Sequence, residues 1–418
     1  MSKTFVVVGG GIAGVKAAES LRADGFTGDI ILIGDEPRLP YDRIPLSLEF
    51  LAPKTSPIAQ NYAEADQRLG LADFTFHDQD WYRDHGIDLR TGVRVEALDP
   101  VAHTVRSASG ETVRYDKLLL ATGSRARRLK TPGPNAGRIK YLRDYADAVE
   151  LDSLLTEGSS LAVIGAGWIG LEVAASARQR GVDVTVVGRS EIPLVNAVGP
   201  ELGTEFARLH RENGVDLRLG AQVGDITAGE LRLTDGTRVP ADTVLAAVGA
   251  APDLELARGA GLATGMGGVL VDAGLRSSDP DIFAAGDIAA AEHPILGVRV
   301  RVEHWANARK QPVVAASGML GRPGEYRDLP YFFTDQFDLG MEYVGYAAGY
   351  RRVVFRGDRP GREFIAFWVD AQHRVLAGMN VNVPGVVDDI KALVLSRVPV
   401  DPGRLADPRV PLDRLVAG

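Results

Sequence analysis

Two glycine fingerprints carry the chemistry this chain can do. Thr4-Phe5-Val6-Val7-Val8 breaks into Gly9-Gly10-Gly11-Ile12-Ala13-Gly14, and Leu161-Ala162-Val163-Ile164 breaks into Gly165-Ala166-Gly167-Trp168-Ile169-Gly170. In each, the first glycine permits a tight turn out of a strand, the second lets backbone approach a pyrophosphate, and the third packs a helix against the sheet. The helix N-terminus then offers N–H groups and partial positive charge to the anion. Two dinucleotides on one polypeptide follow. Candidate contacts are Gly9, Gly11, Ala13 and Gly14 for the first, and Gly165, Gly167, Trp168, Ile169 and Gly170 for the second. Trp168 has an alternative reading as packing at a helix start.

The ends of the following strands differ. Asp35, about 20 residues past Gly14, or its neighbour Glu36, is placed to take ribose hydroxyls. The second unit has Gly188 followed by Arg189 where that acid would stand. A lost acid and a gained guanidinium admit a 2′-phosphate, which favours NADPH over NADH; the alternative is a solvated loop arginine. No cysteine occurs. That excludes a disulfide framework, a thiolate-ligated iron-sulfur cluster in this chain and thiol-dependent disulfide reduction. Electrons brought by a nicotinamide must leave from the other cofactor directly.

Alternating strands, helices and glycine turns position these motifs, the pattern of layered α/β domains. Expected elements are the strand from Phe5, a helix from Gly14 to Asp24, and strands 29–33, 115–120, 182–187 and 244–249. A helix 171–180, a 231–237 hairpin and a strand ending at Gly286-Asp287 complete the set. Residues 51–80 read as a helical or loop excursion outside the core, and Arg125 to Pro134 as a basic, proline-punctuated linker. Beyond Tyr326 alternating aromatic residues predict a mainly antiparallel region closed by a helix 387–396.

Composition bounds the partners. The chain has 418 residues, 45% hydrophobic and 24% charged, enough for two or three domains. A net charge of -8 argues against nucleic acid. The N-terminus enters a strand without a leader, and no apolar run of about 18 residues could span a bilayer, so the expectation is a cytoplasmic protein with no membrane contact. The seven histidines are dispersed, so no metal is expected. Monomer and homodimer both remain open.

Taken together, the motifs resemble the FAD-dependent ferredoxin reductases that serve cytochrome P450 and ring-hydroxylating oxygenases, relatives of rubredoxin reductases and apoptosis-inducing factor. The likeness covers nearly the whole chain. It rests on both fingerprints, Leu39-Pro40-Tyr41-Asp42-Arg43-Ile44-Pro45-Leu46-Ser47, Ala121-Thr122-Gly123, Gly170-Leu171-Glu172, Gly286-Asp287, Glu303-His304-Trp305 and Phe333-Thr334-Asp335-Gln336-Phe337-Asp338. The resemblance implies an α/β fold of two Rossmann-like domains plus a C-terminal α+β domain. An FAD domain would span 1–126 and 250–326, an inserted NAD(P) domain 127–249, and the C-terminal domain 327–418. Asp287 would bond a ribityl hydroxyl of FAD, and Arg43 and Pro45 would line the isoalloxazine. Glu303-His304-Trp305 would open a helix aimed at the flavin. Glu172 would be the catalytic glutamate near flavin N5 and the nicotinamide. Ala121, Thr122, Gly123, Gly249, Gly286 and Phe333 complete the implied cofactor contacts.

Two departures from the family pattern stand out. Leu48 occupies the position of a lysine that pairs with the glutamate near N5, and Phe333 that of a tryptophan. Without the lysine, the proton affinity of a buried Glu172 should rise, or another base such as Arg43 or Lys54 should pair with it. The implied activity takes hydride from NADPH or NADH onto FAD and passes single electrons to a 2Fe-2S ferredoxin or a rubredoxin. Arg309 and Lys310 are candidate docking cations, or else a solvated helix face. The rivals are an NAD(P)H oxidase, a quinone or monodehydroascorbate reductase, and a redox-sensing binding protein of the same fold.

Overall fold

A computed structural model describes residues 2–53, 69–129 and 138–415. They form two compact units. The first comprises Met1–Asp42, Phe74–Arg125 and Ala251–Phe332; the second comprises Arg43–Asp73, Ala126–Ala250 and Phe333–Gly418.

In the first unit, five parallel strands lie in the order Ile282–Ala284, Lys117–Leu120, Thr4–Val8, Asp29–Ile33 and Ile87–Arg90. Val8 sits level with both Leu120 and Ile33, so three strand ends come out together. Successive strands run one way from Thr4–Val8 and later ones join on its other side. That reversal is the switch point at which open α/β sheets bind ligands. Val6, Val7, Leu32, Leu118, Leu119 and Ile282 are fully buried, as strands covered on both faces must be. Helix Ile12–Ala23 leaves the first fingerprint and buries Val15, Ala17, Ala18 and Leu21.

The second unit repeats the arrangement. Its parallel order is Asp216–Leu219, Asp183–Gly188, Ser160–Ile164, Thr243–Ala246 and Ile139–Lys140, with helix Trp168–Gln179 after the second fingerprint. An antiparallel sheet follows in the order Tyr331–Gln336, Leu339–Gly345, Val375–Val381, Glu363–Val369 and Arg352–Asp358. Helix Val387–Ser396 buries Ile390, Leu393 and Val394, at the bounds the sequence pattern predicts. The chain is thus α/β, with two Rossmann-like folds and a C-terminal α+β region.

Some elements differ from the sequence reading. The two fingerprint helices start two to three residues early, at Ile12 and Trp168, because Gly11 and Gly167 are their N-caps. Of the 51–80 excursion, 54–68 lie outside the described residues, but Leu51, Leu69 and Phe74 are buried core. Lys130 and the Pro132-Gly133-Pro134 part of the expected linker also lie outside them.

Candidate functional site

The first unit builds a phosphate cradle from backbone. Gly9 has φ +130°, and a Cβ there would overlap the carbonyl of Ala121, where the turn Ala121-Thr122-Gly123 begins. A Cβ on Gly14 would overlap the Gly9 carbonyl, while one on Gly11 meets no described atom within 4 Å. The helix starting at Ile12 has no side-chain cap on its N-terminus. Its first-turn N–H groups therefore suit an anion. Thr122 Oγ1 donates to the Asp253 carbonyl at 2.8 Å. At the strand end Glu36 is oriented by the Tyr41 hydroxyl, which donates to Oε2 at 2.7 Å, while Asp35 is exposed.

The far end of this unit's sheet supplies the other expected residues. Gly286 stands where a Cβ would lie 3.4 Å from the Ala13 methyl, and its N–H donates to Gln311 Oε1 at 2.8 Å. Ala13, Gly286 and Asp287 thus come to one place. Arg301 pairs with Glu303 at 2.7 Å and donates to the Asp287 carbonyl at 3.2 Å. His304 caps helix Trp305–Met319 without a side-chain hydrogen bond. Burial lowers its imidazole to about 4, against the opposing charge of Asp287, so the ring is neutral at neutral pH. Its Nδ1 is buried with no hydrogen-bond partner among the described residues. Trp305 Nε1 donates to Asp42 Oδ2 at 3.0 Å.

The second unit has a matching cradle. Gly165 at φ +116° would overlap the Ala247 carbonyl, Gly170 would overlap the Gly165 carbonyl, and Gly167 meets nothing within 4 Å. Trp168 opens the helix with its ring edge-on to Phe206 at 5.4 Å, so it packs against the protein; Ile169 is 41% exposed. Gly188 ends its strand buried, where a Cβ would lie 3.1 Å from Ala166 Cβ and Leu219 Cδ2. Arg189 follows on the surface. Gly249, at φ +98°, accepts from the Arg127 N–H at 2.9 Å.

Glu172, on the helix from Trp168, is 8% exposed. Ser47 Oγ donates to its Oε2 at 2.6 Å and Thr334 Oγ1 to its Oε1 at 2.7 Å. Burial pushes the carboxyl above its ordinary range, Asp335 adds repulsion, and the two hydroxyls oppose both. These two hydroxyls hold the carboxyl, and Lys54, one of the bases named above as an alternative partner, lies outside the described residues. Leu48 is buried, Arg43 caps the short helix Ile44–Leu46 that contains Pro45, and Phe333 is half-buried. Ser47 and Thr334 stood inside quoted motifs without a role, as did Tyr41.

The sequence pattern of the pyridine nucleotide-disulphide oxidoreductase family matches residues 3–312, and that of the reductase C-terminal domain matches 331–416. The chain belongs to that oxidoreductase family. FAD and a nicotinamide dinucleotide are the cofactors this membership implies, and the two uncapped glycine cradles fit them. A similar protein is the ferredoxin–NAD(+) reductase component of an anthranilate 1,2-dioxygenase system from Burkholderia cepacia, 38% identical over 412 residues, 98% of each chain. Putidaredoxin reductase from Pseudomonas putida is 35% identical over 422 residues, covering 99% of this chain and 96% of that one. The solved covalent complex of putidaredoxin reductase with putidaredoxin matches at TM-score 0.92 and 34% identity, covering 99% of this chain and 98% of that one. Despite the family's title, this member has no thiol with which to reduce a disulfide. Among the described residues no helix is long and apolar enough to cross a membrane.

Proposed function

We propose that the chain is the reductase of an oxygenase system, carrying electrons from a nicotinamide dinucleotide through FAD to a ferredoxin or rubredoxin in the cytoplasm. The observation that carries this reading is the pair of backbone cradles in a chain without cysteine, together with near full-length similarity to ferredoxin reductases. FAD, when bound, supplies the conversion of one hydride into two single electrons. Gly9, Gly11 and the helix from Ile12 would hold its pyrophosphate, Glu36 or Asp35 its ribose, and Asp287 its ribityl chain. The uncapped helix beginning at Trp305 would set positive potential at the flavin, with Arg43, Pro45 and Phe333 as further contacts. Residues 1–126 with 250–326 would form the FAD domain, 127–249 the NAD(P) domain and 327–418 the C-terminal domain.

Stopped-flow mixing tests the reading. NAD(P)H should bleach the flavin, and a 2Fe-2S ferredoxin or rubredoxin from the same cell should reoxidise it within turnover time. Oxygen turnover at that rate with no protein acceptor would overturn it in favour of an oxidase.

The nicotinamide site is read as accepting NADPH in preference to NADH, through the exposed Arg189 beside Gly188. Arg189→Glu should then raise KM for NADPH about 10-fold or more, the loss of one charge-assisted contact, with little change for NADH. Equal effects on both would remove the preference. Several relatives carry NAD(+) in their names, which makes this test informative.

For the acceptor, Arg309 lies 4.3 Å over the Trp305 ring and is exposed, while Lys310 is paired with Asp328 at 2.6 Å. Arg309 is therefore the better docking cation. Arg309→Glu should raise KM for ferredoxin about 10-fold at low salt, an effect that shrinks as salt rises, and leave ferricyanide reduction near wild type.

A further inference from the structure

Glu172 is the near end of a buried chain of polar groups that runs through the second unit. Thr334 Oγ1 bonds Glu172 Oε1, Gln336 Nε2 donates to Thr334 Oγ1 at 3.2 Å, and His210 Nε2 lies 2.9 Å from Gln336 Oε1. Thr334, Gln336 and His210 are each at most 1% exposed. Three elements contribute: helix Trp168–Gln179, strand Tyr331–Gln336 and helix Val195–Glu212.

The direction of the chain follows from its donors. A threonine hydroxyl has one proton, and an ionised Glu172 takes it, so Oγ1 can only accept from Gln336. Gln336 must then present its NH2 to Thr334 and its carbonyl to His210. His210 Nε2 must in turn carry the proton. The other ring nitrogen agrees, since Nδ1 is buried with no hydrogen-bond partner among the described residues. A protonated Oε1 would donate to Thr334 Oγ1, which would then accept from both sides and leave its own buried proton without an acceptor among the described residues. Ser47 has no such constraint from this chain.

We propose that His210, Gln336 and Thr334 form a positioning relay that fixes Glu172 Oε1 as an acceptor, so that the carboxyl gains and loses its proton only at Oε2, beside Ser47. The relay stands in for the lysine that Leu48 replaces, holding a buried carboxylate with directed neutral donors. It rests on the reading of Glu172 as the carboxylate beside the reacting cofactors. The charged group acting on Glu172 from the strand is Asp335, whose field opposes ionisation. From the second helix the facing titratable group is His210, and burial lowers it to about 4, so it stays a neutral donor across the working range. From the segment around Leu48 the facing group is the Ser47 hydroxyl.

Infrared difference spectra of the holoenzyme across pH, with the carboxyl band assigned by Glu172→Gln, read the ionisation directly. Thr334→Val should raise the midpoint by about one pH unit or more, the loss of one hydrogen bond to a charged acceptor. His210→Phe should raise it by a smaller step, and His210→Gln, which keeps a donor, should stay near wild type. A midpoint unmoved in both Thr334→Val and His210→Phe overturns the relay. Should those variants fail to fold, nitrogen-15 shifts of His210 in the wild type decide: a proton on Nε2 is required, and one on Nδ1 overturns the proposal. A wrong assignment of the electron acceptor would fail in turnover assays and leave these titrations unchanged.

Discussion

Alanine at Gly11 should lower FAD affinity about 100-fold and leave the apoprotein's melting temperature within about 2 °C of wild type. Alanine at Gly14 instead costs the fold about 3 kcal/mol. The two glycines lie three residues apart in one fingerprint, yet they answer to different neighbours. Gly11 is an N-cap at φ -87° and ψ -175°, a conformation alanine adopts, and its added methyl meets no described atom within 4 Å. The protein's own packing does not require glycine there. What a methyl would obstruct is the approach of a ligand's pyrophosphate to the uncapped N–H groups, about 3 kcal/mol for two charge-assisted hydrogen bonds. At Gly14 the methyl overlaps the Gly9 carbonyl and lies 3.0 Å from Leu32 Cδ1. Neither neighbour can retreat, because the Gly9 N–H is bonded to the Ile33 carbonyl at 2.8 Å and Leu32 is fully buried. Calorimetric FAD titration and melting of the two apoproteins separate the effects. A Gly11→Ala protein that binds FAD as tightly as wild type would remove the first fingerprint from the FAD site.

The same contrast shows why the cradles were legible in sequence. A strand, a turn at positive φ and a helix N-terminus are local matters, settled by residues within a few positions of one another. The glycine spacing states them directly, and so do the buried runs Val6-Val7-Val8 and Val163-Ile164. The surroundings of Glu172 were not legible. Ser47 and Thr334 lie 125 and 162 residues away in sequence. No periodicity carries that information, and a hydroxyl beside a proline or in a strand has many uses. The Leu51 backbone was misread for a related reason. Flanking prolines and polar residues suggested a surface excursion, yet Leu51 is fully buried and its carbonyl accepts from Arg180 at 3.4 Å, a partner 129 residues on. Conversely, Leu48 was informative through what it lacks. An apolar residue there brings no charge to a carboxyl whose proton affinity burial raises.

That carboxyl makes the second large effect. Glu172→Gln should melt higher than wild type at pH 8 by at least about 2 °C, the shift that ~1 kcal/mol gives a unit of this size, and the gain should vanish toward pH 4. The sign follows from linkage. Burial, more than any other cause, raises the folded proton affinity of Glu172 above the ordinary carboxyl value of 4.5. Between that value and the raised one, the native state binds more protons than the unfolded chain, so stability falls as pH rises through the window. Below 4.5 both states are protonated and Glu172 costs nothing; above the folded value the cost is complete. Glutamine keeps the shape, accepts from Thr334 through its carbonyl and donates to Ser47 after that hydroxyl turns, so it carries no charge into the interior. The wild-type minus variant difference cancels every other titrating group, which makes its pH dependence a property of this site. Leu48→Lys supplies the complementary arm. A cation one residue along from Ser47 should stabilise the carboxylate and flatten the difference curve. A curve that is already flat in the wild type, by differential scanning calorimetry from pH 4 to 8, would mean that Ser47 and Thr334 offset burial entirely and that Glu172 is ionised at no cost.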